Sequence, residues 1–358
     1  MARVRSLDDL MEAAQGYQRS MALFAALKLG VFSALARGSA DALTVARRVG
    51  ADPRRLAVLL DGLTAMGLLR KTAGRASRPG SRPLSPSWLS RHLSVRGRRG
   101  TRPSVDIARY RNGEVAASFL TDGPRSKSSI LLHHGDCWRD WSRLEETVRG
   151  GRKGRPPGGD EQENFIRGME DNARERAALV AGRFRLRPGE RLLDLGGGPG
   201  TYAVEWARRH PRAAVTLFDT RGTLRITRRI LEEKGASGAV RLIEGDFLAD
   251  PIGGPYDFVW ISHILHAYSE KDCRALLRKA RRAIVPGGRV AVQEFLVDDG
   301  GASPPGPAFF SIHMVAVTEG GRAYSAREVA GMLRAAGFGK TAFAGSDSRG
   351  VGIVTARA

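Results

Sequence analysis

The residues best suited to chemistry lie in one short stretch, Arg191-Leu-Leu-Asp-Leu-Gly-Gly-Gly-Pro-Gly-Thr201. Leu192, Leu193 and Leu195 form a brief apolar run, as a strand buried on both faces requires. Asp194 sits at its end, and Gly196, Gly197, Gly198 and Gly200 supply a turn in which no Cβ shields the backbone. Tyr202, Val204, Trp206 and Ala207 then open a helical pattern. Strand, glycine loop and helix N-terminus together let a ligand lie against bare N–H groups at the positive end of a helix dipole. A second run, Ala214 to Phe218, ends in Asp219. That is roughly 20 residues past the loop, where a nucleotide-binding βαβ unit carries the acid that grips a ribose. The dinucleotide pattern is not met, because Ala203 stands where its third glycine belongs. A phosphate-binding Walker loop is excluded, since no Gly-Lys-Ser/Thr follows.

Asp-Leu-Gly-Gly-Gly-Pro-Gly resembles motif I of class I S-adenosylmethionine (SAM)-dependent methyltransferases, and the similarity runs through the C-terminal two-thirds of the chain. The group it resembles holds the plant caffeate and flavonoid O-methyltransferases, acetylserotonin O-methyltransferase and bacterial natural-product enzymes. The resemblance implies SAM as cofactor, held by Asp194, Gly196, Gly197, Gly198, Gly200 and Asp219. It puts Asp246 and Phe247, in Glu244-Gly-Asp-Phe, against the adenine: the carboxylate accepts from the exocyclic amine and the neighbour packs on the ring. Ser262 falls at the same site, where plant members often have Lys.

Methyl transfer from a sulfonium needs few protein groups. The acceptor must be held in line and its hydroxyl proton removed, which suits a histidine with a pKa near neutrality. Ile264-Leu-His266-Ala-Tyr-Ser-Glu-Lys-Asp-Cys273 is similar to the family segment Ile-Leu-His-Asp-Trp-Ser-Asp-Glu-x-Cys, whose histidine is the general base. That base falls on His266, with Ala267 and Tyr268 in place of Asp and Trp; His263 is the nearby decoy. Glu294 matches the acid that flanks the base. The family's second flanking acid belongs in Gly-Gly-x-Glu-Arg-Thr; here Gly320-Gly-Arg-Ala323-Tyr-Ser325 lacks it, and Glu319 is out of register. The departure keeps a C-methylating or non-methylating relative in play. The resemblance also assigns Phe165, Met169, Asn172, His313 and Met314 to the acceptor pocket. Phe165, Met169 and Asn172 share one helix face, a pattern that core packing alone also explains.

Elements must position these groups. After Asp219 come a helix over Leu224–Lys234, a strand over Val240–Ile243, a fourth strand over Tyr256–Ser262 and a fifth over Gly287–Phe295. Their alternation predicts an α/β domain: a Rossmann-like methyltransferase sheet, parallel and doubly wound, with its ligands at the carboxyl ends of the strands. Gly337–Ala358 reads as an antiparallel strand pair turning at Gly345–Gly350. Upstream, Tyr17, Met21, Phe24, Leu27, Val31 and Leu35 recur at helical spacing up to Gly38; Leu43–Val49 is a second helix, and Asp52-Pro53 caps a third. Gly67-Leu-Leu-Arg-Lys then turns into a strand, which completes a winged-helix-like pattern. Such a domain either binds DNA through a basic face near Arg54 and Arg55 or, as the resemblance implies, dimerises. The expected domains are a winged-helix-like dimerisation domain at 1–120, helical linker and pocket helices at 121–175, and the SAM-binding domain at 176–358.

The formal net charge is +21. Roughly half of the excess falls between Arg70 and Arg111, an interval that contains a stretch at 72–108 rich in Arg, Ser, Gly and Pro, which reads as a flexible basic insertion between the strands of a hairpin. The remaining arginines are scattered over helix surfaces, so nucleic acid is not an expected partner. Ile130–Val148 reads as helical. Its His133, His134, Asp136 and Cys137 point in different directions on a helix, so no metal site is expected. Two cysteines make no disulfide framework, no apolar run spans a membrane and no signal peptide is evident, which together point to a reducing cytoplasm. The expected protein is a homodimeric SAM-dependent O-methyltransferase of a small hydroxylated, aromatic acceptor. The rival from another class is a SAM-responsive DNA-binding protein.

Overall fold

The computed structural model describes residues 3–74, 93–96, 104–150 and 158–358. They form two compact units, residues 2–135 and 136–358.

In the first unit the elements are α1 (Leu7–Lys28), α2 (Val31–Ala34), β1 (Ala40–Asp41), α3 (Ala42–Val49), α4 (Pro53–Ala65), β2 (Leu69–Gly74), β3 (Leu93–Arg96), β4 (Ser104–Asn112), α5 (Glu114–Phe119) and α6 (Ser128–Asp136). Ser6 and Asp9 cap α1 reciprocally. The apolar run expected to continue to Leu35 breaks at Gly30, whose φ of 75° ends one helix and starts another. Asp52 accepts from the Arg55 N–H, with Pro53 in the first turn of α4. Phe32, Val45, Leu56, Leu60, Leu63 and Tyr110 make the core. β4 pairs antiparallel with β1, β2 and β3. Most of the insertion expected over 72–108 lies outside the described residues; its described parts are strand, with Gly74 opposite Ile107. The second strand of that hairpin, β4, ends at Asn112, and Gly113 opens α5.

The second unit contains α7 (Trp138–Trp141), α8 (Leu144–Val148), α9 (Asp160–Arg183), β5 (Arg191–Leu195), α10 (Thr201–Arg209), β6 (Ala214–Asp219), α11 (Arg221–Glu233), β7 (Arg241–Glu244), β8 (Tyr256–Ser262), α12 (Glu270–Ala283), β9 (Ile284–Val297), α13 (Pro305–Val317), β10 (Tyr324–Ser325), α14 (Ala326–Ala335), β11 (Gly339–Ser346) and β12 (Val351–Arg357). The helical stretch expected over Ile130–Val148 is thus divided among α6, α7 and α8. The sheet order is β11-β12-β9-β8-β5-β6-β7, with β10 beside β9. The pairs linking β7, β6, β5, β8 and β9 are parallel, whereas β12 lies antiparallel between β9 and β11. Strand order therefore reverses between β5 and β8, the position at which such sheets open a ligand crevice. Alternate strand residues enter two cores, one on each face. Leu193, Leu195, Val259, Ile261, Val290 and Val292 belong to one; Leu192, Phe258, Trp260 and Ala291 belong to the other. Burial on both faces is why these strands read as unbroken apolar runs.

Candidate active site

The glycine loop joins β5 to the N-terminus of α10. Gly196, Gly198 and Gly200 have φ of 72°, 52° and 78°, a region that side chains disfavour. A Cβ at Gly196 would fall 2.4 Å from the Ile264 side chain, and one at Gly197 would fall 2.6 Å from Leu217. At Gly198 nothing lies within 4 Å of that position, so the loop presents bare backbone to open space. Its shape is fixed from behind: Gly198 N donates to Asp219 Oδ2 at 2.9 Å, and the Thr227 hydroxyl donates to Gly198 O at 2.6 Å.

Two acids end the first two strands of the sheet. Asp194 is buried, and its Oδ2 has no hydrogen-bond partner among the described residues. Burial, reinforced by the charge of Asp219, pushes the Asp194 carboxyl up to about 8. Burial also raises Asp219, against the opposing pull of the Gly198 and Thr220 N–H groups. Facing carboxyls under an electropositive helix end suit a ligand that brings both positive charge and hydrogen-bond donors. Beyond β7, Asp246 is exposed and its Oδ1 accepts from Leu248 N at 2.8 Å. Phe247 is buried with its ring edge-on to Tyr268. This turn is clamped by Lys279, whose Nζ donates to the carbonyls of Phe247, Leu248 and Asp250 at 2.7, 2.9 and 2.7 Å.

At the carboxyl end of β8 the chain turns sharply. His263 takes a φ of 57°, and a single 3-10 turn, Leu265–Ala267, carries His266. His266 Nδ1 lies 2.6 Å from Glu294 Oε2, and Glu294 Oε1 accepts from the His266 N–H at 3.4 Å. With Nδ1 protonated toward the carboxylate, Nε2 is left as the basic nitrogen. Burial would raise the Glu294 carboxyl, but His266 and His263 outweigh it and hold the group below its ordinary range. Rings line the other side of the base: Phe310 is edge-on to His266 at 4.8 Å and lies 4.4 Å from Phe295. His313, on α13, is 6.0 Å from Phe310 and stacks on Trp141, whose indole N–H donates to His313 Nδ1 at 2.9 Å. Met314 beside it is buried.

The structure thus brings His266, Glu294 and the ring array around His313 together. It places Phe165 with Ile166, Ile226 and Ile230, between α9 and α11, leaves Met169 half-buried and exposes Asn172. Ala323 is buried and donates its N–H to Ser311 Oγ at 3.1 Å, so no carboxylate occupies the position that the family segment gives to the second flanking acid. The preceding glycines have a packing reason: a Cβ at Gly321 would fall 2.2 Å from the His266 carbonyl.

Sequence reasoning missed a polar layer beneath the site. Gln293 Nε2 donates to the Tyr202 hydroxyl at 2.8 Å and to Ser262 Oγ at 2.9 Å, and lies 3.2 Å from His263 Nε2. Its signal was a lone Gln in the apolar run of β9. Burial depresses the His263 pKa to about 4, so its ring stays neutral near pH 7. His263, His266 and Glu294 bring ligand atoms within 4.8 Å of one another, a donor set that could hold a divalent ion.

Comparison with known proteins gives the same frame. Residues 156–339 match the O-methyltransferase domain family, and residues 11–122 match the O-methyltransferase dimerisation domain family. The chain is 32% identical to acetylserotonin O-methyltransferase of Mus musculus molossinus over 357 residues, covering 94% of this chain and 84% of that protein. It is 29% identical to 3-hydroxy-5-methyl-1-naphthoate 3-O-methyltransferase of Streptomyces sahachiroi, covering 92% and 88%. The solved structure of human N-acetylserotonin methyltransferase in complex with SAM superposes with a TM-score of 0.77 at 26% identity, covering 100% of this chain and 99% of that one.

Proposed function

The chain belongs to the small-molecule O-methyltransferase family and uses SAM; on that premise we propose that His266 is its general base and that the acceptor is a hydroxylated aromatic compound. One observation carries this reading: the 2.6 Å contact of His266 Nδ1 with the buried Glu294 leaves Nε2 turned to proton transfer.

The loop and the two acids fit the cofactor. Open space at Gly198, the unpartnered oxygen of Asp194 and the second carboxyl of Asp219 match a ligand with an ammonium, a sulfonium and ribose hydroxyls. We assign Asp194, Gly196, Gly197, Gly198, Gly200 and Asp219 to that half, Asp246 and Phe247 to the adenine, and Ser262 to the floor. When bound, SAM supplies a methyl group already attached to a good leaving group. The protein then has one proton to move. His266 Nε2 takes it from the acceptor hydroxyl as the oxygen becomes nucleophilic, while Glu294 holds the ring in the required tautomer and stabilises the imidazolium. Phe295, Phe310, Trp141 and His313 offer faces and edges to a flat acceptor. The two relatives' names denote hydroxylated aromatic substrates, which supports the same class. Met314 we place in this pocket as well, with the half-buried Met169 of α9; Phe165, packed between α9 and α11, and the exposed Asn172 are left out of it.

The chain acts as a homodimer in this reading. α1 exposes Leu7, Leu10, Met11 and Tyr17 at 71%, 53%, 47% and 51% of their surface, within the span that matches the dimerisation domain or just before it. No helix among the described residues is long and apolar enough to cross a membrane, and two cysteines outside any disulfide fit a reducing cytoplasm.

The test is turnover of methyl-labelled SAM over a panel of phenols, read by mass spectrometry. His266→Ala should lower the methylation rate by about 10²–10⁴ with the SAM affinity unchanged. The loss should shrink for phenols acidic enough to ionise unaided, and His263→Ala should do much less. An unchanged rate in His266→Ala on a weakly acidic phenol would remove it as the base.

A further inference from the structure

A second concave site lies at the opposite end of the sheet, where the chain enters β5 and β9, and where β12 ends. Its volume is about 420 Å³, and its lining includes Arg183, Arg185, Arg187, Arg289, Lys340 and Arg357 with no acidic side chain. Only one of these six cations has a carboxylate partner among the described residues: Arg289 forks onto both oxygens of Glu190 at 2.9 Å. Arg183 and Arg357 donate to neutral carbonyls, of Ala344 at 2.7 Å and Gly287 at 3.3 Å. The charge of Glu190 also reaches Arg187, and that of Asp257, which pairs with Arg191, reaches Arg289; the cations still outnumber the carboxylates near them.

Two features show how the cluster is held. Lys340 is a non-glycine residue at φ 48°, and the pairing of β11 with β12 slips between Gly339 and Ala342. Such a bulge re-aims a side chain at some conformational expense. The floor is rigid: the Arg289 guanidinium lies 4.7 Å over the Phe258 ring, which stacks with Phe184.

We propose that this cavity binds a small multivalent phosphate, a chain of two or more phosphoryl groups either free or carried by a nucleotide. Arginine forks match phosphate oxygens two at a time, and a monoanion cannot neutralise a cluster in which Arg183, Arg185, Lys340 and Arg357 have no carboxylate partner among the described residues. The volume of this open concavity is that of a small-ligand pocket, whereas a nucleic-acid backbone is met by an extended basic stripe. The cofactor half of the molecule is not involved, since its loop lies at the other ends of the strands.

The experiment titrates the intact protein calorimetrically with sodium tripolyphosphate at fixed ionic strength, with ATP, sulfate and a single-stranded oligothymidylate as parallel arms. We expect saturable binding of tripolyphosphate at one site, tighter than sulfate, and undiminished by saturating SAM. At about 100 times the measured Kd the Tm should rise by about 5 °C. Tighter binding of ATP would identify the nucleotide as the carrier, and tighter binding of tripolyphosphate the free chain; both support the site. Arg185→Gln and Lys340→Gly should each weaken binding by about tenfold. Each should also raise the Tm of the ligand-free protein, because it removes a charge from a self-repelling cluster, an effect opposite to that of a damaged fold. Binding no tighter than sulfate, parent-like affinity in both variants, displacement by SAM, or stronger capture of the oligonucleotide would each overturn the proposal.

Discussion

At the scale of single residues, the site separates two tasks that carboxylates perform differently. Glu294 is ionised and serves a histidine; Asp194 is held near neutrality by burial and by its neighbour. Glu294→Gln should keep a hydrogen-bond acceptor for His266 Nδ1 but lose the charge that stabilises the imidazolium. Methylation should fall by about 10² or more at an unchanged SAM Kd, measured by single-turnover kinetics and calorimetry. Asp194 makes a pH prediction. Its folded pKa of about 8 stands above the ordinary carboxyl value of 3.8, so the folded state holds more protons than the unfolded one between those limits. Its contribution to stability is therefore present at low pH and lost as pH rises toward 8. His263 acts in the opposite sense. Its pKa falls from 6.5 to about 4, so its contribution is present above 6.5 and lost as pH falls through 4. Above pH 6.5 the His263 slope is gone and the Asp194 slope remains, joined in the same sense by Asp219, which burial also raises. The Tm of the cofactor-free protein should decline from pH 6.5 to 8, and Asp194→Asn should flatten that decline. A Tm profile identical in the two proteins would show that Asp194 is not the group responsible. The glycine loop, Asp219 and His266 were legible in the sequence because each is announced by its immediate neighbours. Gln293, Tyr202 and His263 were not, since their meeting depends on the adjacency of β8, β9 and α10, which no local spacing encodes.

At the scale of elements, the strands were readable from apolar runs and the helix α4 from its cap, Asp52. Breaks within helical periodicity were harder to see. Gly30 sits inside an unbroken apolar rhythm, and only its left-handed backbone divides α1 from α2. Lys279 is the clearest case of a part invisible to pattern. It reads as one more charged residue on α12, yet it is the tripod that holds the Asp246–Asp250 turn. Lys279→Met keeps the stem and removes all three charged donors. We expect SAM affinity to fall by about tenfold, the scale of one lost charge-assisted hydrogen bond, while the pH dependence of kcat stays as in the parent. Loss of kcat with full SAM affinity would place the effect at the base instead.

For the whole molecule, the prediction concerns assembly. Leu7 and Leu10 lie on α1 with most or half of their surface open. Replacing both with Asp should convert a dimer at micromolar concentration into a monomer by light scattering, with the near-ultraviolet spectrum of the second unit preserved. A wild-type monomer under the same conditions would refute the assembly itself. The charge of +21 says little about fold, but it explains why a cation cluster can persist opposite the active site: no nearby excess of acids competes for it. The sheet order carries a further consequence, in time rather than in space. Because β12 separates β9 from β11, β11 has no route onto the sheet until β12 is in place. The short turn at Asp347, whose carboxylate accepts from the N–H groups of Arg349 and Val351, lets β11 and β12 zip together as a local hairpin. The parallel pairs must instead wait for long crossovers to close. Folding is thus ordered: the hairpin matures early and docks late, and until it docks β9 presents an open edge that a chaperone or another chain can occupy.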